Sequence, residues 1–316
     1  MATIKTSDLA GKLKDQYLQQ SEIFKTEVLV DDMNFLDYMA PPILTKDEVP
    51  LTRVITGDIV QPGAKAAFNA SSDTHTFKAR TSKVRPGKVD LTYTPVDINL
   101  LANSYYGYLA KIKKTYHDYS IAEFFMDNVK RKIKDNIRLK ALYDGVYDAA
   151  GTGPEDIFDG ILAQMAVSGV VPAGNIYTGA AITASNAVDI FEATYDKVPS
   201  KFASMKLAVI ACPATLRKYF LDYRSSYGSV IYNEEFLKNG IDGTNTQFFA
   251  EPGLDASPNK IIITTMDNLT WHVNPENDME AVTIETEKRN VHVMVDFDVS
   301  PNFFTGDEIW TNAVTP

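Results

Sequence analysis

The longest regular hydrophobic pattern lies in the middle of the chain, where apolar residues recur at i+4 intervals. They are Ile121, Phe125, Val129, Ile133, Ile137 and Ala141. This spacing places them on one face of an α-helix, and Ser120 with Glu123 matches a capping box. The pattern predicts one helix from about Ile121 to Tyr147, roughly 40 Å long at about 1.5 Å per residue. Such a helix would cross the whole body of the protein as a spine.

Alternation of apolar and polar residues predicts strands on both sides of this helix. Upstream, the alternating stretches 77–81 and 89–93 flank Arg85-Pro86-Gly87-Lys88, which predicts a β-hairpin with its turn at 85–88. A two-stranded hairpin is marginal alone in water, so it needs a surface on its own fold or on a neighbouring subunit. Downstream, alternate positions from 291 to 299 are apolar, which predicts a half-buried strand of roughly 33 Å.

The remaining segments indicate an α+β protein with an N-terminal arm. Ser7 caps an amphipathic pattern that extends to Phe24, and the proline-containing stretch 28–50 is too apolar for a free linker. Three of its apolar residues are candidates for packing on another surface: Phe35, Leu36 and Tyr38. After a break at 151–154, helices are expected near 156–167, 185–195 and 214–223. Buried strands are expected at 206–211 and 260–265, with a loop over 239–258.

Composition limits the class of protein. With 316 residues, of which 45% are hydrophobic, the chain can bury one large core or two smaller ones. No apolar run approaches the roughly 18 residues of a membrane span, and the N-terminus lacks a signal-peptide pattern, so we expect a soluble protein made in a cytoplasm, without membrane contact. One cysteine excludes an intramolecular disulfide framework.

Charge is distributed unevenly along the chain. The net charge of −10 argues against a general nucleic-acid binder. Residues 49–150 carry 16 Lys and Arg against 10 Asp and Glu, about +6, and the rest of the chain therefore carries about −16. Solvated faces explain this split, and so does electrostatic complementarity between copies of the chain.

The sequence contains no motif of a catalytic, cofactor or metal site. Cys212 lies between a strand and a helix, as a hydrolase nucleophile would, but Pro213 has no N–H for an oxyanion hole. The four histidines lack metal-motif spacing, and no nucleotide-binding motif occurs. The carboxylate pairs Asp296/Asp298 and Glu285/Glu287 are explained either by a hard metal or by a solvated strand face. We therefore expect no enzymatic activity and no cofactor.

The order of these parts resembles the tailed-bacteriophage major capsid protein family. The likeness rests on 82–88 in the hairpin, 120–149 as the spine, 206–216, and 259–269. It implies an α+β tailed-phage major capsid fold (Hong Kong type), with an N-terminal arm at 1–50 and an E-loop at 51–104. It also implies a P-domain with the spine helix at 105–154, an A-domain at 155–270, and returning P-domain strands at 271–316.

The resemblance also implies a function and partners. The chain would self-assemble as pentamers and hexamers into the icosahedral shell of a virion, around double-stranded DNA that it contacts without sequence specificity. Assembly would occur in the host bacterial cytoplasm, with separate scaffolding, portal and decoration proteins as possible partners. Because an amphipathic segment begins near Met1, we expect no large scaffolding segment ahead of the arm. The candidate subunit contacts are Arg80, Lys83, Arg85, Lys88, Phe35, Leu36 and Tyr38. The alternatives are an encapsulin-like nanocompartment shell protein and a small-oligomer enzyme built on an α+β domain.

Overall fold

Helices and strands intermix along the protein, as the sequence predicts for an α+β fold. The computed structural model describes residues 11–12, 37–56, 75–115, 120–227, 240–274 and 282–314. The α-helices are α1 (Pro95–Ile112), α2 (Ile121–Asn136), α3 (Ile161–Ala166), α4 (Ala187–Tyr195), α5 (Ser200–Ala203) and α6 (Pro213–Tyr227). The strands are β1 (Ile43–Leu44), β2 (Glu48–Thr56), β3 (His75–Lys83), β4 (Arg85–Tyr93), β5 (Ile176–Gly179), β6 (Leu207–Ala211), β7 (Thr246–Ala250), β8 (Ile261–Thr265), β9 (Leu269–Val273), β10 (Val282–Glu287), β11 (Asn290–Phe303) and β12 (Ile309–Val314).

The first sheet is built around the long strand β11. β4 and β10 both pair antiparallel with its first part, β9 pairs antiparallel with its last residues, and β1 pairs parallel with β9. The predicted alternation in β11 is confirmed, because the apolar side chains at the alternate positions 291, 293, 295, 297 and 299 are all buried whereas Asp296 is exposed. This strand buries one face against the larger of two hydrophobic cores.

The second sheet separates the two cores. Its strand order is β5-β12-β8-β6-β7. Side chains alternate across a strand, and in β6 Leu207 and Val209 face the core formed with α4 and α6, whereas Ala208 and Ile210 face the core that contains α2. The predicted strands at 206–211 and 260–265 are confirmed as β6 and β8, and every residue of both is buried.

The spine helix begins as predicted. The Ser120 hydroxyl accepts the Glu123 N–H at 3.1 Å, and the Glu123 carboxylate accepts the Ser120 N–H at 3.4 Å, which completes the capping box. All six members of the i+4 stripe from Ile121 to Ala141 are buried. After Asn136 the helix widens into a π-helical turn, Ile137–Ala141.

The predicted end of the spine at Tyr147 is wrong. After Ala141 the chain turns and bonds to the segment that follows the 3₁₀ helix Pro154–Asp156, with Ile161 N donating to Leu142 O and Gly160 N to Gly145 O. A Cβ on Gly145 would lie 2.5 Å from Ala141 O, so the absence of a side chain permits this close approach. The helical part, 121–141, is therefore about 31 Å long at about 1.5 Å per residue.

The predicted hairpin turn at 85–88 is also wrong. β3 pairs with β2 over nine residues, from Glu48 opposite Lys83 to Thr56 opposite His75, and forms a separate two-stranded ribbon. β4 instead pairs with β11. Pro86 is tolerated because β4 pairs with one strand only among the described residues. Gly87 faces the Phe297 ring, which a Cβ would approach to 2.5 Å, so this glycine serves close packing rather than a turn.

Other predictions are confirmed in part. α4 and α6 occupy the expected helical segments, and α3 covers only the second half of its expected segment. The expected loop over 239–258 contains β7 and the 3₁₀ helix Pro252–Leu254. The expected N-terminal helix lies outside the described residues, apart from Gly11 and Lys12, which are helical. None of the helices in the described part of the chain combines the length and apolarity required to cross a membrane.

Candidate subunit-contact site

The ribbon of β2 and β3 meets the body of the protein at the end where β3 continues into β4. Near this end, here called the root of the ribbon, Leu51, Ser82 and Val84 are buried. Further along β3, the Phe77 side chain is 67% exposed. Because a two-stranded ribbon is marginal by itself, an exposed aromatic residue on it is suited to burial by another surface.

Arg80 lies at the root of the ribbon and has no acidic partner in the described part of the chain. Its Nη2 donates to Asn302 Oδ1 and to Phe303 O, and the guanidinium lies 3.7 Å from the centroid of the Phe303 ring. Its Nη1 is buried and bonds to none of the described residues. Burial lowers the pKa of Arg80 to about 10, and only neutral groups of the described chain offset its charge.

Lys83 and Arg85 line the same cavity as Arg80. Lys83 Nζ lies 3.4 Å from Glu48 Oε1, with both side chains about half exposed, and the Arg85 guanidinium lies 3.9 Å from the centroid of the Tyr147 ring. The cavity has a volume of about 270 Å³. Its remaining polar lining is Thr81, Gln164, Ser300 and Asn302, with Asp159 as its one acidic lining residue among those described. Three of the predicted contact residues are thus brought together.

Lys88 lies in a different environment. Its Nζ is 2.8 Å from Asp90 Oδ2, and the hydrogen bond and charge of Asp90, followed by the charge of Asp296, raise its pKa. It lines a larger groove of about 910 Å³ that also contains Asp148, Asp156 and Asp298. A turn at 85–88 would place all four basic candidates close together, but this turn does not exist, and Lys88 lines a different cavity from the other three.

The arm candidates divide in a similar way. Phe35 and Leu36 lie outside the described residues, whereas Tyr38 is 2% exposed. Its hydroxyl oxygen lies 2.6 Å from that of Tyr143 and donates to Glu251 Oε2 at 3.0 Å. Its ring packs against Phe249 with the centroids 4.9 Å apart. Tyr38 is enclosed by its own chain and offers no exposed side chain to a neighbour.

A buried carboxylate organises the environment of Tyr38. Glu251 follows β7, is 1% exposed, and accepts hydrogen bonds from Arg138 Nε at 3.0 Å and from Gly253 N at 3.3 Å. Burial and the Glu251 charge raise the pKa values of Tyr38 and Tyr143, so both phenols stay protonated. This network joins the arm, the π-helical turn and the second sheet. The pattern of the sequence did not predict this network, although a glutamate directly after the apolar residues 248–250 is a usable signal.

The candidate nucleophile and the candidate metal-binding carboxylates form hydrogen bonds within the fold instead of a reactive site. Cys212 is buried and its thiol donates to Asp255 Oδ1 at 3.1 Å. Burial and this carboxylate raise the pKa of Cys212, which disfavours the reactive thiolate. The Asp298 carboxylate accepts a bond from Asn274 Nδ2 at 2.9 Å. No group of three His, Cys, Asp or Glu residues with metal-binding geometry occurs in the described ranges.

The histidines are likewise dispersed. His272 is buried, with its Nδ1 2.8 Å from the Ser82 hydroxyl, and burial together with the Arg80 charge lowers its pKa to about 4. His292 Nδ1 lies 2.9 Å from the Thr92 hydroxyl. His75 is exposed in β3, and His117 lies outside the described residues.

The fold is similar to that of chains in solved shell structures. A chain in the structure of the satellite phage P4 procapsid with its size determination protein has a TM-score of 0.58 at 15% identity, covering 100% of this chain and 93% of that chain. A chain of the SrpI encapsulin complex from Synechococcus elongatus has a TM-score of 0.51 at 10% identity, over 90% and 88% of the two chains. For the cyanophage A-1(L) capsid the values are 0.50 and 13%, over 90% and 92%.

Sequence comparison adds no closer relative, since neither a protein-family model nor a curated protein matches the chain. The structural likeness, in contrast, extends over nearly the full length of this chain and of the P4 procapsid chain. The protein therefore has the α+β fold of tailed-phage major capsid proteins, which the encapsulin also shares.

Proposed function

We propose that this protein is the major capsid protein of a tailed bacteriophage and assembles into the icosahedral shell around its double-stranded DNA genome. The observation that carries the proposal is the likeness to the P4 procapsid chain over the full length of this chain. The ribbon supports it independently, since Phe77 is exposed and no third strand pairs with the ribbon among the described residues, which leaves surface for a second subunit to bury.

The parts of the fold suggest a division of labour in such a shell. The proposed segments are the arm (1–50), the E-loop (51–104), the P-domain (105–154 and 271–316) and the A-domain (155–270). Two features refine this proposal. The ribbon begins at Glu48 and ends at Lys83, and β12 from the last segment pairs with β8 and β5 of the second sheet. The sheet of the proposed A-domain would therefore include β12 from the last segment.

The proposed partners follow from a shell. Copies of the chain would form pentamers and hexamers, with scaffolding, portal and decoration proteins as separate chains. DNA would lie inside without sequence-specific contact, as the net charge of −10 suggests. The site of action would be the virion capsid, assembled in the cytoplasm of a host bacterium.

Electron microscopy and analytical ultracentrifugation of the purified protein test the proposal, with any required scaffold coexpressed. Closed shells that contain genome-length DNA are the expected result. Shells that contain a cargo enzyme instead would favour the nanocompartment, for which the encapsulin likeness at TM-score 0.51 is the supporting observation. A small oligomer as the largest species under all conditions would refute both shell functions and favour the enzyme.

A further inference from the structure

We propose that the cavity at the root of the ribbon is an acceptor site for an Asp or Glu side chain from a second copy of this chain. The cavity is lined by Arg80, Lys83 and Arg85 with Asp159 opposing them. Three cations and one anion line it, and Glu48 pairs with Lys83 from outside the lining, which leaves a charge of about +1 in a protein whose net charge is −10. The inference rests on the proposed shell function, because it requires copies to meet.

The geometry favours an anion that comes from outside the subunit. Arg80 is bound by the neutral oxygens of Asn302 and Phe303 and has a buried Nη1 without a bond to any described residue. The ring of Tyr147 is the partner of Arg85. Asp159 accepts the backbone N–H of Tyr147 at its Oδ1, at 3.1 Å, and this single carboxylate cannot balance the positive charges of both arginines. A buried cation without a counter-ion is costly, and an inserted carboxylate would remove that cost.

The cavity shape favours a single side chain over duplex DNA. A volume of about 270 Å³ enclosed between the ribbon root, α3 and the end of β11 accommodates one carboxylate side chain. Phosphates on a duplex follow a regular convex backbone, and their recognition uses a stripe or patch of several basic residues. The lining of three basic residues in a concavity does not provide such a stripe. Copies of this chain are also acidic, with about −16 outside residues 49–150, so charge complementarity selects a second copy.

Carbodiimide cross-linking of mixed ¹⁴N- and ¹⁵N-labelled particles tests the occupant directly. This reagent joins an amine to a carboxylate in contact, and mixed-isotope peptides identify links between copies. We expect Lys83 to be linked to an Asp or Glu of another copy, in addition to Glu48 of its own chain, which lies 3.4 Å away. Links from Lys83 only to Glu48 of its own chain would overturn the proposal. Lys88, which is paired with Asp90, provides the matched lysine.

Charge removal tests whether the site contributes to assembly. The Lys83→Gln/Arg85→Gln variant should need at least about tenfold more subunit for half-assembly, since the lost contact recurs at every copy. The Lys88→Gln control should assemble as the wild type does, and circular dichroism should confirm that both variants are folded. Normal shells from the double variant would overturn this inference alone and leave the shell function intact. Failure of the wild type to form any shell would overturn both. Fluorescence anisotropy with a duplex oligonucleotide tests the alternative that the cavity binds a DNA phosphate. If the double variant alone lost affinity for DNA, the ligand of the cavity would be a phosphate and the proposal of a carboxylate would be overturned.

Discussion

Replacing Gly145 by alanine tests why the spine helix ends where it does. A Cβ at this position would lie 2.5 Å from Ala141 O and 2.8 Å from Phe158 O, both backbone atoms that cannot rotate away. Overpacking of this kind costs about 1–3 kcal/mol. The backbone shift that relieves this overlap would also strain the hydrogen bonds from Gly145 N to Ala141 O and from Gly160 N to Gly145 O, each of which contributes about 0.5–1.5 kcal/mol to stability. Alanine also has less conformational freedom than glycine in the unfolded chain, which offsets about 0.4–1 kcal/mol of this loss of stability. We expect a net loss of about 2–4 kcal/mol.

Gly107 provides the matched control. It lies inside α1, and a Cβ there would meet nothing within 4 Å, so Gly107→Ala should stabilise the protein by about 0.5–1 kcal/mol. Urea unfolding of unassembled subunits measures both changes. Trp271 is a suitable fluorescent reporter because its ring packs edge-on against Phe158, with the centroids 5.8 Å apart. If Gly145→Ala were as stable as the wild type while Gly107→Ala behaved as expected, the close approach at Gly145 would be refuted.

Three further changes probe the polar contacts of the interior. Tyr38→Phe should destabilise the subunit by about 1.5–3 kcal/mol in urea unfolding, because it removes a hydrogen bond to a buried carboxylate. As a control, Tyr106→Phe should have little effect, because the Tyr106 side chain is 48% exposed. Equal effects of the two changes would contradict the reasoning. Lowering the pH from about 6.5 to about 4 should destabilise the wild type more than the His272→Gln variant. In this range the unfolded chain binds a proton at His272, whereas the folded chain, in which the pKa of His272 is about 4, does not. Parallel profiles of unfolding free energy against pH would argue against this. Cys212→Ser should preserve particles in electron micrographs and cost less than about 1 kcal/mol, because a hydroxyl also donates to Asp255; loss of particles from folded subunits would reveal a role for the thiol.

Periodicity predicts the elements whose side chains meet one continuous core. The i+4 stripe of the spine and the alternation in β11 each report on a single buried face, and both are observed. The fully apolar run in β6 is different, because it is buried on two sides and its alternate residues belong to different cores. The sequence therefore predicts which residues are buried but not which of the two cores receives them.

Strand pairing could not be read from the same patterns. The alternation in 77–81 and 89–93 is compatible with two arrangements: the two strands could pair with each other in a hairpin, or each could pair with a different strand. Both arrangements place the same residues on one face, so the pattern does not distinguish them. The true partners lie in β2, nearby in sequence, and in β11, about 200 residues away. Arg80, Lys83 and Arg85 were identified as contact candidates from local charge. Their shared cavity was not foreseeable, because α3 and the end of β11 contribute its other walls.

The uncompensated positive charge of Arg80 at the ribbon root suggests that this site stabilises the assembly rather than the separate subunit. In the separate subunit, Arg80 loses hydration without gaining a described acidic partner, so the cavity is a source of instability. An ion pair formed on association would relieve that cost, and its contribution would appear in assembly rather than in subunit folding. The network around Glu251 behaves differently, because Arg138, Tyr38 and the backbone N–H of Gly253 already satisfy that carboxylate within one chain. Changes at Glu251 should therefore act first on the stability of the subunit, and changes at Lys83 and Arg85 on the association of subunits.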